Sequence, residues 1–293
     1  DIAEVNMVAD KTNQTIKLKD GRMLGYAEYG SPEGKSIFYF HGFPGSRSDW
    51  MLFDPDDSAT QLNSRIIAVD RPGMGLSDLK RGRDILDWPD DVIELADVLQ
   101  IDRFAVLGIS GGGPYASVCA FKISKRLTAA AIVCGMGPSE ATGAKKGISW
   151  FYPGKPSVIR RLILMLTSMG VRKNPDQFLS RSKEMLPEPD KLLLDKPELA
   201  KAYINTIGES LRSGIGGVNY EATLYTRKWP FRLQDIPVEV HLWHGELDIN
   251  VPISVGRYVA DAIPNCHAIF LKDEAHISLP YNHIREILSI LAA

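Results

Sequence analysis

Phe104-Ala105-Val106-Leu107-Gly108-Ile109-Ser110-Gly111-Gly112-Gly113-Pro114, running on through Tyr115-Ala116-Ser117-Val118-Cys119-Ala120, decides how the rest of the 293-residue chain is read. An uncharged apolar run of this length predicts a buried strand, and the alanine-rich segment after the glycines predicts a helix. At the junction Gly108, Ser110 and Gly112 form the pattern G-x-S-x-G. A serine on a sharp strand-to-helix turn sits in a strained backbone conformation. Side chains beside it would collide with strand and helix, so its neighbours must be nearly bare. Such a turn lifts the hydroxyl above the sheet edge and leaves the Gly111 N–H at a helix N-terminus, facing any negative charge that develops there. The same residues also fit an ordinary serine N-cap on a glycine-rich loop, so the surrounding chain has to decide.

Upstream, residues 36–40 predict a buried strand that ends in His41-Gly42-Phe43-Pro44-Gly45-Ser46. Loops of this kind, just past the C-terminal end of a strand, are where open α/β sheets hold ligands. The Phe43 N–H is the candidate partner to that of Gly111, while His41 is expected to pack and prop the loop. Residues 15–19 and 22–29, joined by Asp20-Gly21, predict a starting hairpin. Residues 65–69 predict a strand closing on Asp70-Arg71-Pro72-Gly73-Met74-Gly75-Leu76-Ser77. Gly73 and Gly75 lack the third glycine of a dinucleotide fingerprint and are interrupted by Pro72, so no nucleotide site is expected there. Residues 86–99 carry apolar positions at helical spacing.

Downstream, residues 127–134 predict a sixth strand, and then the strand–helix rhythm breaks. Over residues 138–228 the pattern predicts helices at 157–169, 175–185, 197–211 and 217–225, and no strand. An all-helical insert between two strands is expected to form a lid over the C-terminal sheet edge. Its residues Trp150, Phe151, Tyr152, Leu164, Met165, Met169, Phe178 and Tyr203 either line a pocket or hold the insert's helices together. Strand patterning resumes at 237–245 and runs into Glu246-Leu247-Asp248-Ile249-Asn250. A helix over 254–263 and a last strand over 268–271 precede His276. Ser110, Asp248 and His276 therefore all fall past the C-terminal ends of strands.

The chain is 44% hydrophobic and 24% charged, and 34 Lys and Arg nearly balance 36 Asp and Glu. A formal net charge of -2 provides no field to hold nucleic acid or an anionic membrane, so neither is an expected partner; a small-molecule substrate, on a monomer or homodimer, is expected. The three cysteines, Cys119, Cys134 and Cys266, lie far apart near apolar segments, as buried thiols of a reducing compartment do. The longest apolar run in the insert, at 162–169, is far short of the roughly 20 residues that cross a bilayer. No charged-then-apolar leader follows Asp1, so a cytoplasmic location is expected. His241 and His244 fall on opposite faces of one strand and do not pair as metal ligands. Neither a metal nor a cofactor is expected.

Serine at its ordinary pKa needs an adjacent base, and the base needs a buried acid to hold its tautomer. With His41-Gly42-Phe43-Pro44-Gly45, Asp70-Arg71-Pro72-Gly73-Met74-Gly75-Leu76-Ser77, Gly108-Ile109-Ser110-Gly111-Gly112, His244-Gly245-Glu246-Leu247-Asp248 and Glu274-Ala275-His276 in the order serine, acid, histidine, the chain resembles the α/β-hydrolase family from the first hairpin to the last helix. The resemblance implies a mostly parallel eight-stranded sheet flanked by helices, with a core of residues 1–137 and 229–293 and a helical cap at 138–228. It implies Ser110 as nucleophile, His276 as general base and then acid, Asp248 as the orienting carboxylate, and the N–H groups of Phe43 and Gly111 as an oxyanion hole. Glu246 is the rival acid. A serine nucleophile disfavours the epoxide hydrolases and haloalkane dehalogenases of the family, which use aspartate. The short loop and helical lid resemble carboxylesterases and proline iminopeptidase-like enzymes. The expected activity is hydrolysis of a small or medium ester. Amide, thioester, lactone and C–C bond hydrolysis, perhydrolysis, and a ligand receptor with residual turnover use the same machinery.

Overall fold

In a computed structural model, which describes residues 10–54, 57–147 and 153–293, the strands are β1 (Gln14–Lys17), β2 (Met23–Gly30), β3 (Lys35–Phe40), β4 (Ser64–Val69), β5 (Phe104–Ile109), β6 (Leu127–Val133), β7 (Val240–Gly245) and β8 (Cys266–Leu271). They form one sheet in the order β1-β2-β4-β3-β5-β6-β7-β8. The Asp20-Gly21 turn closes the expected hairpin, with Gln14 opposite Tyr26 and Lys17 opposite Met23. Strand β2 also runs antiparallel to β4, and every pairing from β4 to β8 is parallel. The α/β-hydrolase fold expected from the motifs is the one observed.

The central strands are apolar on both faces because both faces are covered. Phe38, Phe40, Ile67, Val69, Phe104 and Val106 point to one layer, where they meet α3 (Trp88–Val98), α4 (Gly113–Lys122) and α10 (Ile253–Ala262). Their alternates Ile37, Tyr39, Ile66, Ala68, Ala105 and Leu107 point to the other, against α1 (Trp50–Phe53), α2 (Ser58–Gln61) and α11 (Ser278–Leu291). Each fully buried Val, Ile or Phe contributes about 1.5–3 kcal/mol relative to exposure. These two layers hold the strands' C-terminal ends at fixed heights.

Between β6 and β7 lie α5 (Ser157–Lys173), α6 (Pro175–Glu184), α7 (Glu188–Leu194), α8 (Pro197–Ser210) and α9 (Gly216–Thr226), with no strand among the described residues. Helix α5 continues a turn past the expected residue 169, because Gly170 does not stop it and Val171 buries against Leu164, Ile207, Leu211 and Val218. Helix α7 has no counterpart in the sequence-based expectation. Pro187 and Pro189 occupy its N-cap and first turn, where a missing N–H leaves nothing unsatisfied. Strand β7 starts at Val240, three residues later than expected. No described helix is long and apolar enough to cross a membrane.

Candidate active site

Ser110 directly follows β5 and has φ +53°, in the left-handed region that an L-residue enters only when its surroundings compel it. The compulsion is steric. A Cβ on Gly108 would lie 2.3 Å from the Gly112 carbonyl oxygen, and one on Gly112 would lie 2.0 Å from that of Phe40, so only glycine lets the turn close. Residues 110–112 form one 3₁₀ turn and pass straight into α4.

His276, in the turn after β8, brings Nε2 to 2.8 Å from Ser110 Oγ and Nδ1 to 2.8 Å from Asp248 Oδ2. The other Asp248 oxygen accepts the Asn250 and Val251 N–H groups, each at 2.8 Å. A carboxylate only accepts, so Nδ1 carries the imidazole proton toward Asp248 and Nε2 is left to accept a hydrogen bond from the Ser110 hydroxyl. Burial by itself opposes protonation of His276, but the Asp248 carboxylate outweighs it and holds the pKa above the ordinary histidine value. His244 supports the acid turn from beneath, with Nε2–H donating to the Val251 carbonyl at 2.7 Å, and burial pushes its pKa down. Glu246, the rival acid, is exposed and lies 3.6 Å from Arg257.

The backbones of Phe43 and Gly111 lie against each other. A Cβ on Gly111 would fall 2.6 Å from the Phe43 Cβ and 3.2 Å from its backbone nitrogen. The loop after β3 is held from several sides. Asp49 Oδ2 accepts the Gly42 N–H and the Tyr39 hydroxyl, both at 2.8 Å. Arg71 donates to the carbonyls of His41 and Gly42. His41 itself is fully buried, accepts the Arg71 N–H at Nε2 (3.2 Å) and donates from Nδ1 to the Gly42 carbonyl (2.9 Å). It is the packing residue expected. Tyr225, from α9, donates to the Gly111 carbonyl at 2.8 Å and sets its ring edge-on to Phe43.

The model of the alpha/beta hydrolase family matches residues 37–283, most of the chain and every strand-end loop just described. The chain belongs to the alpha/beta hydrolase family. Among curated relatives, the chain is 32% identical over 123 residues to the dihydrolipoyllysine-residue acetyltransferase component of the acetoin cleaving system of Pseudomonas putida; the match spans 41% of this chain and only 32% of the relative's length. It is 24% identical over 315 residues to a putative proline iminopeptidase of Mycoplasma pneumoniae, covering 96% of this chain and 97% of that one. The esterase RhEst1 of Rhodococcus sp. ECU1013 shares the fold with a TM-score of 0.70 at 21% identity, covering 96% of this chain and 99% of that structure.

Above Ser110 lies a cavity of about 540 Å³. Phe178 and Tyr203 line it, as two of the insert's expected pocket residues, together with Phe43, Leu186 and His276. Leu164 is instead buried among the inserted helices, and Met165 and Met169 are about half exposed. Trp150, Phe151 and Tyr152 lie outside the described residues. Cys134 Sγ lies close to Asp248 and His276, but burial keeps its thiol protonated and Asp248 is already bound to His276 Nδ1, so the three do not make a ligand set.

Sequence patterning missed three buried acids: Asp49, Asp190 and Glu221. Each is a lone carboxylate without motif or periodicity, and only its partners reveal it. Asp190, on α7 and fully buried, accepts the backbone N–H groups of His276 (3.2 Å), Ile277 (2.9 Å) and Ser278 (2.8 Å). It caps α11 from another element and seats the His276 backbone. An amide at this position turns its NH₂ toward N–H donors. Asp190→Asn is therefore expected to destabilise the protein by about 2–3 kcal/mol, read as a lower urea midpoint at unchanged slope. An unmoved midpoint would show that these bonds are not needed.

Proposed function

We propose that this chain is a serine hydrolase that cleaves a small or medium carboxylic ester through an acyl-enzyme. The observation that carries this is the continuous hydrogen-bond chain Ser110–His276–Asp248, which opens on the cavity. Ser110 Oγ attacks the ester carbonyl while His276 Nε2 takes its proton, and the imidazolium is balanced by Asp248. The N–H groups of Phe43 and Gly111 receive the charge on the tetrahedral oxygen. His276 returns the proton to the departing alkoxide. Water, deprotonated by the same nitrogen, then releases the acid and restores Ser110.

In this proposal residues 138–228 act as a cap on a core of residues 1–137 and 229–293, and Phe178 and Tyr203 contribute the cap's wall of the acyl pocket. The esterase and iminopeptidase names among the relatives suit the same machinery. An iminopeptidase must also hold a free amine, which calls for a carboxylate, and none lines the cavity among the described residues, so an ester is favoured. Cys119 and Cys134 are buried free thiols and Cys266 is a half-buried one, which suits the cytoplasm.

The test is turnover of p-nitrophenyl esters of increasing acyl length, with a maximum expected at short to medium chains. No rate above buffer on any of them would refute ester hydrolysis. The pH dependence follows from His276, which must be neutral to accept the Ser110 proton. Its raised pKa places the acid limb of kcat/KM above the ordinary histidine value of about 6.5. Activity falls as the pH drops through that limb. Removing the negative charge with Asp248→Asn should move the limb to lower pH, and a limb that stays put would show that another group controls it.

A further inference from the structure

The cavity above Ser110 is unequally charged. Lys145, Lys146 and Lys155 line it, and no Asp or Glu does among the described residues. The asymmetry is written into the chain. Between residues 141 and 175 there are seven Lys or Arg and no Asp or Glu, although acids outnumber bases 36 to 34 overall. The stretch 147–154, which separates the lysines, has no charged residue of either sign. Arg160 adds to the field from the first turn of α5. It is 5% exposed, and its guanidinium meets neutral partners, Asn219 Oδ1 at 2.8 Å, Thr223 Oγ1 at 2.7 Å and the Lys155 carbonyl at 3.4 Å.

The acids nearest Ser110 do not line the cavity among the described residues. Asp248, Asp190 and Asp49 are buried behind the His276 turn and the loop after β3, their oxygens taken up by N–H and O–H donors. A Cβ on Gly147 would lie 2.1 Å from the Asn250 carbonyl oxygen, so the backbone just after Lys145 and Lys146 runs close against the turn that follows Asp248. The apolar groups of Phe178, Met185, Leu186 and Ile207 line the same cavity as Ser110 and the lysines. A molecule suited to this lining carries a carbonyl for Ser110, a short apolar segment and a negative charge.

We propose that the cavity takes a half-ester of a medium-chain dicarboxylic acid, with its ester carbonyl at Ser110 and its free carboxylate at the lysines. This rests on the ester-hydrolase assignment and narrows it. The step balances as half-ester plus water giving dicarboxylate, alcohol and a proton: Ser110 Oγ bonds the carbonyl carbon, the alkoxy group leaves with the proton relayed by His276, and water regenerates the serine. Attraction between exposed lysines and a carboxylate acts over the Debye length, about 8 Å at physiological salt, and weakens as salt rises.

Monomethyl and dimethyl adipate differ in that charge, a neutral methyl ester replacing the carboxylate, and acid release in a pH-stat measures both, with rates compared per ester bond. At low ionic strength the monomethyl ester is expected to have about tenfold higher kcat/KM. The preference should shrink toward unity at high salt, and fall about tenfold in Lys145→Gln/Lys146→Gln/Lys155→Gln. Equal rates on the two esters, or a ratio the triple substitution leaves unchanged, would overturn the proposal while leaving ester hydrolysis standing. Calorimetric titration of adipate into Ser110→Ala separates the two claims. Binding that weakens about tenfold with the lysines replaced supports the anion site even if neither ester is hydrolysed, whereas turnover of dimethyl adipate without adipate binding removes the site and keeps the esterase.

Discussion

Ser110→Ala is expected to lower kcat/KM for any ester the wild type cleaves by about a thousandfold or more, with the folded structure retained. In the proposed mechanism Ser110, His276 and Asp248 act as a unit, so loss of the nucleophile would leave only the binding and charge stabilisation proposed for the cavity and for the Phe43 and Gly111 N–H groups. Folding should be little affected. The φ of +53° at position 110 strains alanine as much as serine, and the steric pressure comes from Gly108, Gly112 and Phe40, which are unchanged. The hydroxyl's bond to His276 is a single contact worth about 1 kcal/mol. Hydrolysis of p-nitrophenyl butyrate by the two proteins side by side, with urea melts as a control, checks both parts. A variant that retains a tenth of the rate would rule out Ser110 as the nucleophile.

The second large effect is on stability. Glu221, fully buried on α9, lies 2.7 Å from Arg71 Nε, pairs with Arg83 through its other oxygen, and accepts the Tyr225 hydroxyl at 3.0 Å. Arg83 in turn donates to Tyr115 at 3.2 Å. Burial opposes ionisation of Glu221, yet the two guanidinium groups hold its pKa below the ordinary value. Glu221→Ala leaves two cations, each at most 2% exposed, without an anion, and removing one side of a buried pair costs about 3–5 kcal/mol. The urea midpoint should fall accordingly, whereas Glu246→Ala, on the exposed turn, should shift stability by less than about 0.5 kcal/mol. Activity should fall too, because Arg71 also holds the His41 and Gly42 carbonyls. Equal melts for the two variants would mean that this cluster does not join the inserted helices to the sheet.

The strands and their ends were legible in the sequence from local rules, whereas the grouping of Ser110, His276 and Asp248 was implied by the resemblance of their motifs to a known family. The continuous apolar runs from Ile37 to Phe40 and from Phe104 to Ile109 are buried on both faces. Gly108 and Gly112 reveal the tight turn, because no other residue fits there. Serine, acid and histidine each follow a strand, and a parallel sheet places all those ends on one edge. By contrast, Met165 and Met169 read as lining a pocket or packing the inserted helices, and both are about half exposed, because helical spacing does not say which face of α5 meets solvent.

Asp190, Glu221 and Asp49 could come only from the tertiary structure. A lone acid has no period or spacing, and its role is defined by donors brought from other elements: the N–H groups of residues 276–278 for Asp190, Arg71 and Arg83 for Glu221, Gly42 and Tyr39 for Asp49. The charge of the cavity has the same origin. The sequence by itself determined that 141–175 is basic and that Ser110 ends a strand. Only packing of the inserted helices over the sheet edge decided that Lys145, Lys146 and Lys155 share one opening with that serine, since pairings between distant segments are specified by the whole buried surface and by no stretch within it.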